Sequence, residues 1–145
     1  MTPATPSTML PSRPRETVFV EMVFPDQANH YGTLYGGNAL GLLGKAAFVT
    51  ATRFARCAVV MAASEHVDFH VPVKLGQMLE LTGRILRVGR SSMTVEVSGV
   101  AETLAGGERT PALRGRFEMV AVDGAGRPQA IEADRGEPAL RPEGL

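Results

Sequence analysis

Three arginines lie close together in the middle of the chain and could bind phosphate groups. They are Arg84, Arg87 and Arg90, and no acidic residue occurs from position 82 to position 94. The planar guanidinium group donates paired hydrogen bonds that match phosphate oxygens. Arg87 and Arg90 flank Val88–Gly89, where glycine favours a turn. The pattern predicts phosphate binding at this turn, and for Arg84 an ordinary surface position is an equally good explanation.

A single stretch further upstream holds groups suited to proton transfer or metal binding. Strict strand alternation places Glu65 on the face of Val67 and Phe69, beside apolar side chains. A carboxylate in such surroundings can serve as a general base, although a structural role at a strand end fits as well. The opposite face carries His66, Asp68 and His70. This geometry could hold a metal ion, but an exposed polar face explains it better, so we predict no metal site.

The composition restricts the class of protein. The 145 residues include 15 basic and 15 acidic side chains, and this neutral balance argues against a nucleic-acid partner. Cys57 is the only cysteine, which excludes an intrachain disulfide and favours a reducing compartment. The longest apolar run covers positions 57 to 63, far short of the roughly 20 residues of a membrane span. We expect a cytoplasmic protein with neither a secretory signal nor a membrane partner.

Apolar spacing predicts one helix and five strands within residues 16–124. The helix covers residues 38 to 56 and begins at Asn38 as its N-cap. The stripe predicted to be buried consists of Leu40, Leu43, Ala47, Ala51 and Phe54. The predicted strands are Thr17–Phe24, Cys57–Val73, Met78–Val88, Ser92–Glu102 and Ala112–Asp123. Residues 1–15 and 125–145 are rich in proline and poor in large apolar groups, and we expect flexible tails.

These elements predict an α+β domain that is incomplete on its own. Short connections make the last four strands antiparallel, with one helix on one face of the sheet. A single helix cannot cover a long sheet, and the edge strands are left open. We therefore expect an oligomer that pairs edges and covers the remaining apolar surface.

Three segments resemble the acyl-CoA thioesterases of the hotdog fold. Asn29–Gly37 (NHYGTLYGG) is similar to the family's glycine-rich loop before the central helix. Val67–Gly76 (VDFHVPVKLG) is similar to its strand ending in Phe-x-x-Pro-Val-x-x-Gly, and Val88–Met93 (VGRSSM) to its Val-Gly-Arg-Ser-Ser turn. The resemblance implies a curved antiparallel sheet of about five strands wrapped around one long central helix.

The resemblance also implies a reaction and an assembly. The reaction is hydrolysis of an acyl-CoA thioester, with coenzyme A as part of the substrate and no cofactor. The assembly is a homodimer or a trimer of dimers with active sites between subunits. Asn29 would act with a carboxylate of the partner's helix, and the helix start at Gly37 would hold the thioester carbonyl. The family's coenzyme A contacts correspond here to Arg87, Gly89, Arg90 and Ser91.

One position departs from the family pattern. The family's helix carries an aspartate seven residues after the second glycine of the loop, and Gly44 occupies that position here. A glycine inside a helix costs roughly 0.8–1.0 kcal/mol relative to alanine. Gly44 therefore marks either a lost acid or a site of close helix–sheet packing. Glu65 is the substitute base to consider, and an acyl-CoA-binding protein with little turnover is the alternative function.

Overall fold

The computed structural model describes residues 10–132, which form one antiparallel sheet packed against one long helix. The elements are β1 (Glu16–Met22), α1 (Gly36–Ala55), β2 (Val59–Phe69), β3 (Met78–Val88), β4 (Ser92–Glu102) and β5 (Arg109–Ala121), with a short 3₁₀ turn at Pro25–Gln27. The strand order is β1-β3-β4-β5-β2, and every neighbouring pair is antiparallel. The predicted α+β architecture with five strands and one helix is confirmed. We call the side of the sheet that packs on α1 the inner face.

The central strands follow the sequence pattern closely. The predicted bounds of β3 and β4 agree with the structure. On β4, Met93, Val95, Val97 and Ala101 are buried on the inner face. These strands have neighbours on both sides and α1 above them, so apolar and polar residues alternate over most of their length, with register shifts at Leu86 and at Gly99–Val100.

The helix begins earlier than predicted, and its buried stripe departs from the prediction at one of the five positions. It starts at Gly36 with Tyr35 as its N-cap, so the prediction of Asn38 as N-cap is wrong. The Asn38 side chain instead donates from Nδ2 to the carbonyl oxygen of Gln27. Leu40 is 47% exposed, whereas Leu43 is fully buried. The stripe prediction is therefore wrong at Leu40, because the sheet covers only one side of the helix.

Strand β2 is irregular, and this changes the orientation of Glu65. The pairing with β5 shifts between Glu65 and Asp68, and His66 has φ 52°, a left-handed conformation. Such an extra residue is a β-bulge, which breaks the alternation of faces. Glu65 lies opposite Arg116 in the register of β2 and β5, and its side chain is exposed on the outer face. The prediction that Glu65 shares a face with Val67 is therefore wrong.

The folded domain extends beyond the predicted bounds at its N-terminal end. Arg13 donates from Nη1 to the carbonyl oxygens of Phe54 and Ala55, at 3.2 and 2.9 Å. The guanidinium group of Arg15 stacks over the Phe54 ring at 4.6 Å. These contacts attach residues 13–15 to the end of α1, so the predicted tail is too long. Residues 1–9 lie outside the described residues.

The C-terminal boundary is also later than predicted. The backbone N–H of Ile131 donates to the carbonyl oxygen of Arg90, and that of Gln129 donates to Ala121. The Ile131 side chain is buried. Residues 129–131 thus pack on the folded domain, whereas residues 125–128 are exposed, and residues 133–145 lie outside the described residues. Within residues 10–132, no helix is long and apolar enough to cross a membrane.

Candidate functional site

Asn29 organises the loop that leads into α1. Its Oδ1 atom accepts hydrogen bonds from the backbone N–H groups of Tyr31 and Thr33, at 3.0 and 3.1 Å, and from the Thr33 hydroxyl at 3.2 Å. The Asn29 N–H group donates to the Thr33 carbonyl oxygen at 2.8 Å. The Oδ1 atom is therefore used within the loop, and the side chain has its Nδ2 group left to offer a substrate or a water molecule.

An apolar cleft of about 250 Å³ opens at the start of α1. Its lining residues are Leu34, Gly36, Ala39, Phe69, His70, Val71, Pro72, Val73 and Leu113. The first N–H groups of a helix have no intrahelical acceptor and carry partial positive charge. The cleft thus combines apolar walls with donors suited to a polarised carbonyl oxygen.

The two glycines at this helix start serve different purposes. A Cβ atom on Gly36 would meet nothing within 4 Å, so the backbone there is open to close approach. A Cβ atom on Gly37 would lie 2.6 Å from the Tyr35 ring. Gly37 therefore leaves room for the exposed Tyr35 ring at the helix start, and Gly36 is the residue whose backbone faces open space. Asn29 and Gly37 lie in one loop–helix segment, in which the Tyr35 N–H group donates to the Gln27 carbonyl oxygen.

Gly44 lies on the open side of α1 and touches β2. A Cβ atom at this position would lie 3.4 Å from the Cε methyl group of Met61. Leu40 and Phe48, one turn before and after it, are 47% and 46% exposed. Met61 is 45% exposed on β2, one of the two edge strands. The open side of α1 and this strand form one continuous apolar surface, which we call the edge surface.

The turn predicted to bind phosphates has a well-defined backbone. The Gly89 N–H group donates to the Ser92 carbonyl oxygen at 2.7 Å, and Arg87 and Arg90 are exposed on either side. Arg84 instead donates from Nη2 to the Glu16 carboxylate at 2.8 Å. Arg84 thus forms a surface ion pair with β1, which is consistent with an ordinary surface position.

This turn and the start of α1 lie at opposite ends of the sheet. The carbonyl oxygen of Ser91 accepts from Ala121, whose β2 partner is Val59, next to the end of α1. Gly36 shares its cleft with Phe69, at the other end of β2. The 20 residues of α1 span about 30 Å. One chain therefore does not bring the predicted coenzyme A residues to its own cleft.

The polar residues of β2 divide between two surfaces. His66 and Asp68 line a hollow on the outer face with Arg114 and Arg116, whereas His70 lines the apolar cleft. The prediction that the two histidines share a face is wrong, because β2 ends at Phe69 before His70. Among residues 10–132, no group of three metal-ligating side chains lies close enough to hold an ion.

Sequence reasoning missed two residues beside the candidate site. His70 belongs to the cleft, and its position within the Phe-x-x-Pro segment was the available signal. No sequence pattern indicates Met61, because its contact with the Gly44 position is a tertiary contact between α1 and β2.

A family model for the thioesterase superfamily matches residues 31–107, more than half of the 145 residues. The chain belongs to this superfamily. It is 37% identical over 107 residues to an uncharacterized acyl-CoA thioester hydrolase of Zymomonas mobilis, covering 74% of this chain and 72% of that one. A crystal structure of a hexameric acyl-CoA thioesterase superposes with a TM-score of 0.79 at 35% identity, covering 87% and 83% of the two chains. The predicted hotdog fold is confirmed.

A second similar structure is an acyl-CoA hydrolase from Staphylococcus aureus, solved with butyryl coenzyme A, coenzyme A and coenzyme A disulfide. Its TM-score is 0.77 at 28% identity, covering 82% of this chain and 73% of that one. Structures exist of its variants with an asparagine, an aspartate and a threonine each replaced by alanine. The aspartate follows the asparagine by 15 residues, and the threonine follows the aspartate by 17. Counted from Asn29, the same separations lead to Gly44 and Met61.

Proposed function

We propose that this chain hydrolyses acyl-CoA thioesters to free coenzyme A and a carboxylic acid. The observation that carries the proposal is the apolar cleft at the start of α1, beside the Asn29 loop and the open backbone of Gly36. The similarity to named acyl-CoA thioester hydrolases supports it. The reaction needs no cofactor, and coenzyme A enters as part of the substrate.

In this reaction, water adds to the thioester carbonyl carbon and the C–S bond then breaks. The N–H groups at the start of α1 stabilise the negative charge that forms on the carbonyl oxygen. The Nδ2 group of Asn29 donates to the attacking water and fixes its position. The proton that the water loses ends on the departing sulfur, which leaves as the coenzyme A thiol. Glu65 takes no part in this scheme, because it lies on the outer face.

The active form is a homodimer or a trimer of dimers. The edge surface exposes apolar side chains beside the unpaired edge of β2, and a second copy pairing antiparallel there would cover it. Such pairing places the end of one α1 near the start of the other. The Gly89–Ser91 turn of one chain would then complete the cleft of its partner. We place the reaction in the cytoplasm, where the single thiol stays reduced.

Replacing Phe48 by glutamate is expected to convert the oligomer to a monomer. The side chain is 46% exposed in the single chain, and a charge there would be buried against a second copy without a partner. Light scattering at micromolar concentration measures the mass. Leu104→Glu, in the β4–β5 turn, is the matched control and should leave the mass unchanged. A parent that is monomeric at this concentration would contradict the shared site.

Replacing both Arg87 and Arg90 by alanine is expected to weaken acyl-CoA binding by about tenfold for each arginine–phosphate hydrogen bond that is removed. The affinity should also become less dependent on salt, because fewer charged pairs remain to be screened. Titration calorimetry at several salt concentrations measures both quantities. Arg84→Ala is the control, since Arg84 pairs with Glu16. If the double variant binds like the parent, the phosphates bind elsewhere.

Release of free thiol from a panel of acyl-CoA esters tests the function itself. We expect steady release with multiple turnovers on at least one ester, with a stoichiometric carboxylic acid. A parallel binding assay on the same panel identifies the alternative function. Tight binding without release of thiol would make the chain an acyl-CoA-binding protein.

A further inference from the structure

The contact between the Gly44 position and Met61 joins two of the three positions, counted from Asn29, that are replaced by alanine in the Staphylococcus aureus variants. The equal separations from Asn29 align Gly44 with that enzyme's aspartate and Met61 with its threonine. An acid and a hydroxyl in that enzyme correspond here to a hydrogen atom and a thioether. Both changes remove polar groups, and they occur at positions that touch each other in this fold.

The environment of Gly44 explains why the two positions would change together. Outside the helix itself, the Met61 methyl group is the only heavy-atom neighbour within 4 Å of a Cβ atom built there, among the described residues. A carboxylate on Gly44 would thus start from a Cβ atom whose nearest neighbour outside the helix is an apolar methyl group, in van der Waals contact. Desolvation without a compensating hydrogen bond is unfavourable for a charged group. A threonine in place of Met61 would offer a hydroxyl donor and free the space of the methyl.

We propose that Gly44 and Met61 form a matched apolar pair, and that Met61 determines whether a carboxylate on α1 can act in hydrolysis. The Met61 methyl group occupies the side of the helix on which the carboxylate would need a polar neighbour. Hydrolysis in this chain therefore relies on Asn29 and the start of α1, without an acid from the helix. This inference rests on the proposed function, and Met61 is a positioning residue in it.

A double-mutant cycle on the oligomeric protein tests the pair. Gly44→Asp alone is expected to leave kcat at or below the parent value. Gly44→Asp combined with Met61→Thr is expected to raise kcat by about 10²-fold, the lower range of general-base assistance. The gain should appear in kcat rather than KM and should bring a new acidic limb to the pH profile. A purely structural effect of either substitution would not produce that limb.

The melting temperatures of the parent, Gly44→Asp, Met61→Thr and the double variant measure the interaction of the two residues independently of hydrolysis. Gly44→Asp should lower the melting temperature more in the presence of Met61 than in combination with Met61→Thr. Gly41→Asp is the matched control, because it adds the same charge one turn earlier, where nothing lies within 4 Å. Its effect should be the same with and without Met61→Thr.

Three results would overturn the proposal. A gain of about 10²-fold in kcat from Gly44→Asp alone would show that Met61 does not determine whether the carboxylate acts in hydrolysis. Additive melting temperatures would show that the two residues do not interact. If the parent is active and the double variant folds without a gain in kcat, a carboxylate at position 44 does not assist hydrolysis. If instead the parent and all variants release no thiol, the proposed function fails, while the melting temperatures still decide whether the two residues interact.

Discussion

Replacing Asn29 by alanine is expected to lower kcat/KM for thioester hydrolysis by about 10²-fold, because the attacking water loses the donor that positions it and a misplacement of about 1 Å costs roughly that much. The change removes the Nδ2 donor and also the Oδ1 atom that accepts from the backbone N–H groups of Tyr31 and Thr33. The loop before α1 would lose its internal support as well as its polar group. Steady-state release of thiol from the preferred ester measures the effect.

Asn29→Asp separates the two roles of this side chain. An aspartate keeps an oxygen acceptor for the three donors of the loop but has no Nδ2 group to donate. We expect this variant to fold with the parent's stability and to lose most of the activity. Activity near the parent level in Asn29→Asp would show that Asn29 only shapes the loop, and the water would then need another donor.

Replacing Gly83 by alanine is expected to lower the free energy of unfolding by about 1–3 kcal/mol, the usual range for overpacking a core. A Cβ atom on this β3 residue would collide with the Oγ1 atom of Thr50 and lie 3.4 Å from the Ala46 carbonyl oxygen. Thr50 is fully buried, and its hydroxyl donates to that carbonyl at 2.7 Å. The added methyl group would push α1 away from the sheet. Urea unfolding with an unchanged m-value measures the loss.

Thr50→Ala supplies the partner for this measurement. Removing the hydroxyl relieves the collision, so Gly83→Ala should cost less in the Thr50→Ala background than in the parent. Equal costs in both backgrounds would mean that the helix and the sheet do not meet at Gly83 as the structure places them.

The regular parts of the fold could be predicted because local pattern and environment agree there. Strands β3 and β4 have a neighbouring strand on each side, so their side chains point either to the buried inner face or to the outer face. Alternation of apolar and polar residues therefore predicts the bounds of both strands correctly. Strand β2 has a neighbour on one side only, and the bulge at His66 reverses the face of Glu65. Sequence alternation contains no signal for such an insertion, which is why the pattern misplaces Glu65.

The candidate site was predictable where its residues are close in sequence. Asn29, Gly36 and Gly37 belong to one loop and the helix that follows it, so their association could be inferred from the motif. The burial of α1 depends on which side the sheet covers, and for this reason the apolar spacing misplaces Leu40. The contact of Gly44 with Met61 and the separation of Arg90 from the cleft are tertiary properties, which spacing along the chain does not determine.

The central claim is that one active site contains Asn29 of one chain and Arg87 and Arg90 of its partner, and mixing two defective variants tests it most directly. Asn29→Ala protein and Arg87→Ala/Arg90→Ala protein are unfolded and refolded together, and thiol release is measured at low substrate concentration. In a symmetric assembly of randomly mixed chains, about one quarter of the sites would receive intact residues from both chains. We predict recovery of activity toward that fraction of the parent value. Mixed oligomers whose activity does not exceed the mean of the two variants would contradict the shared site.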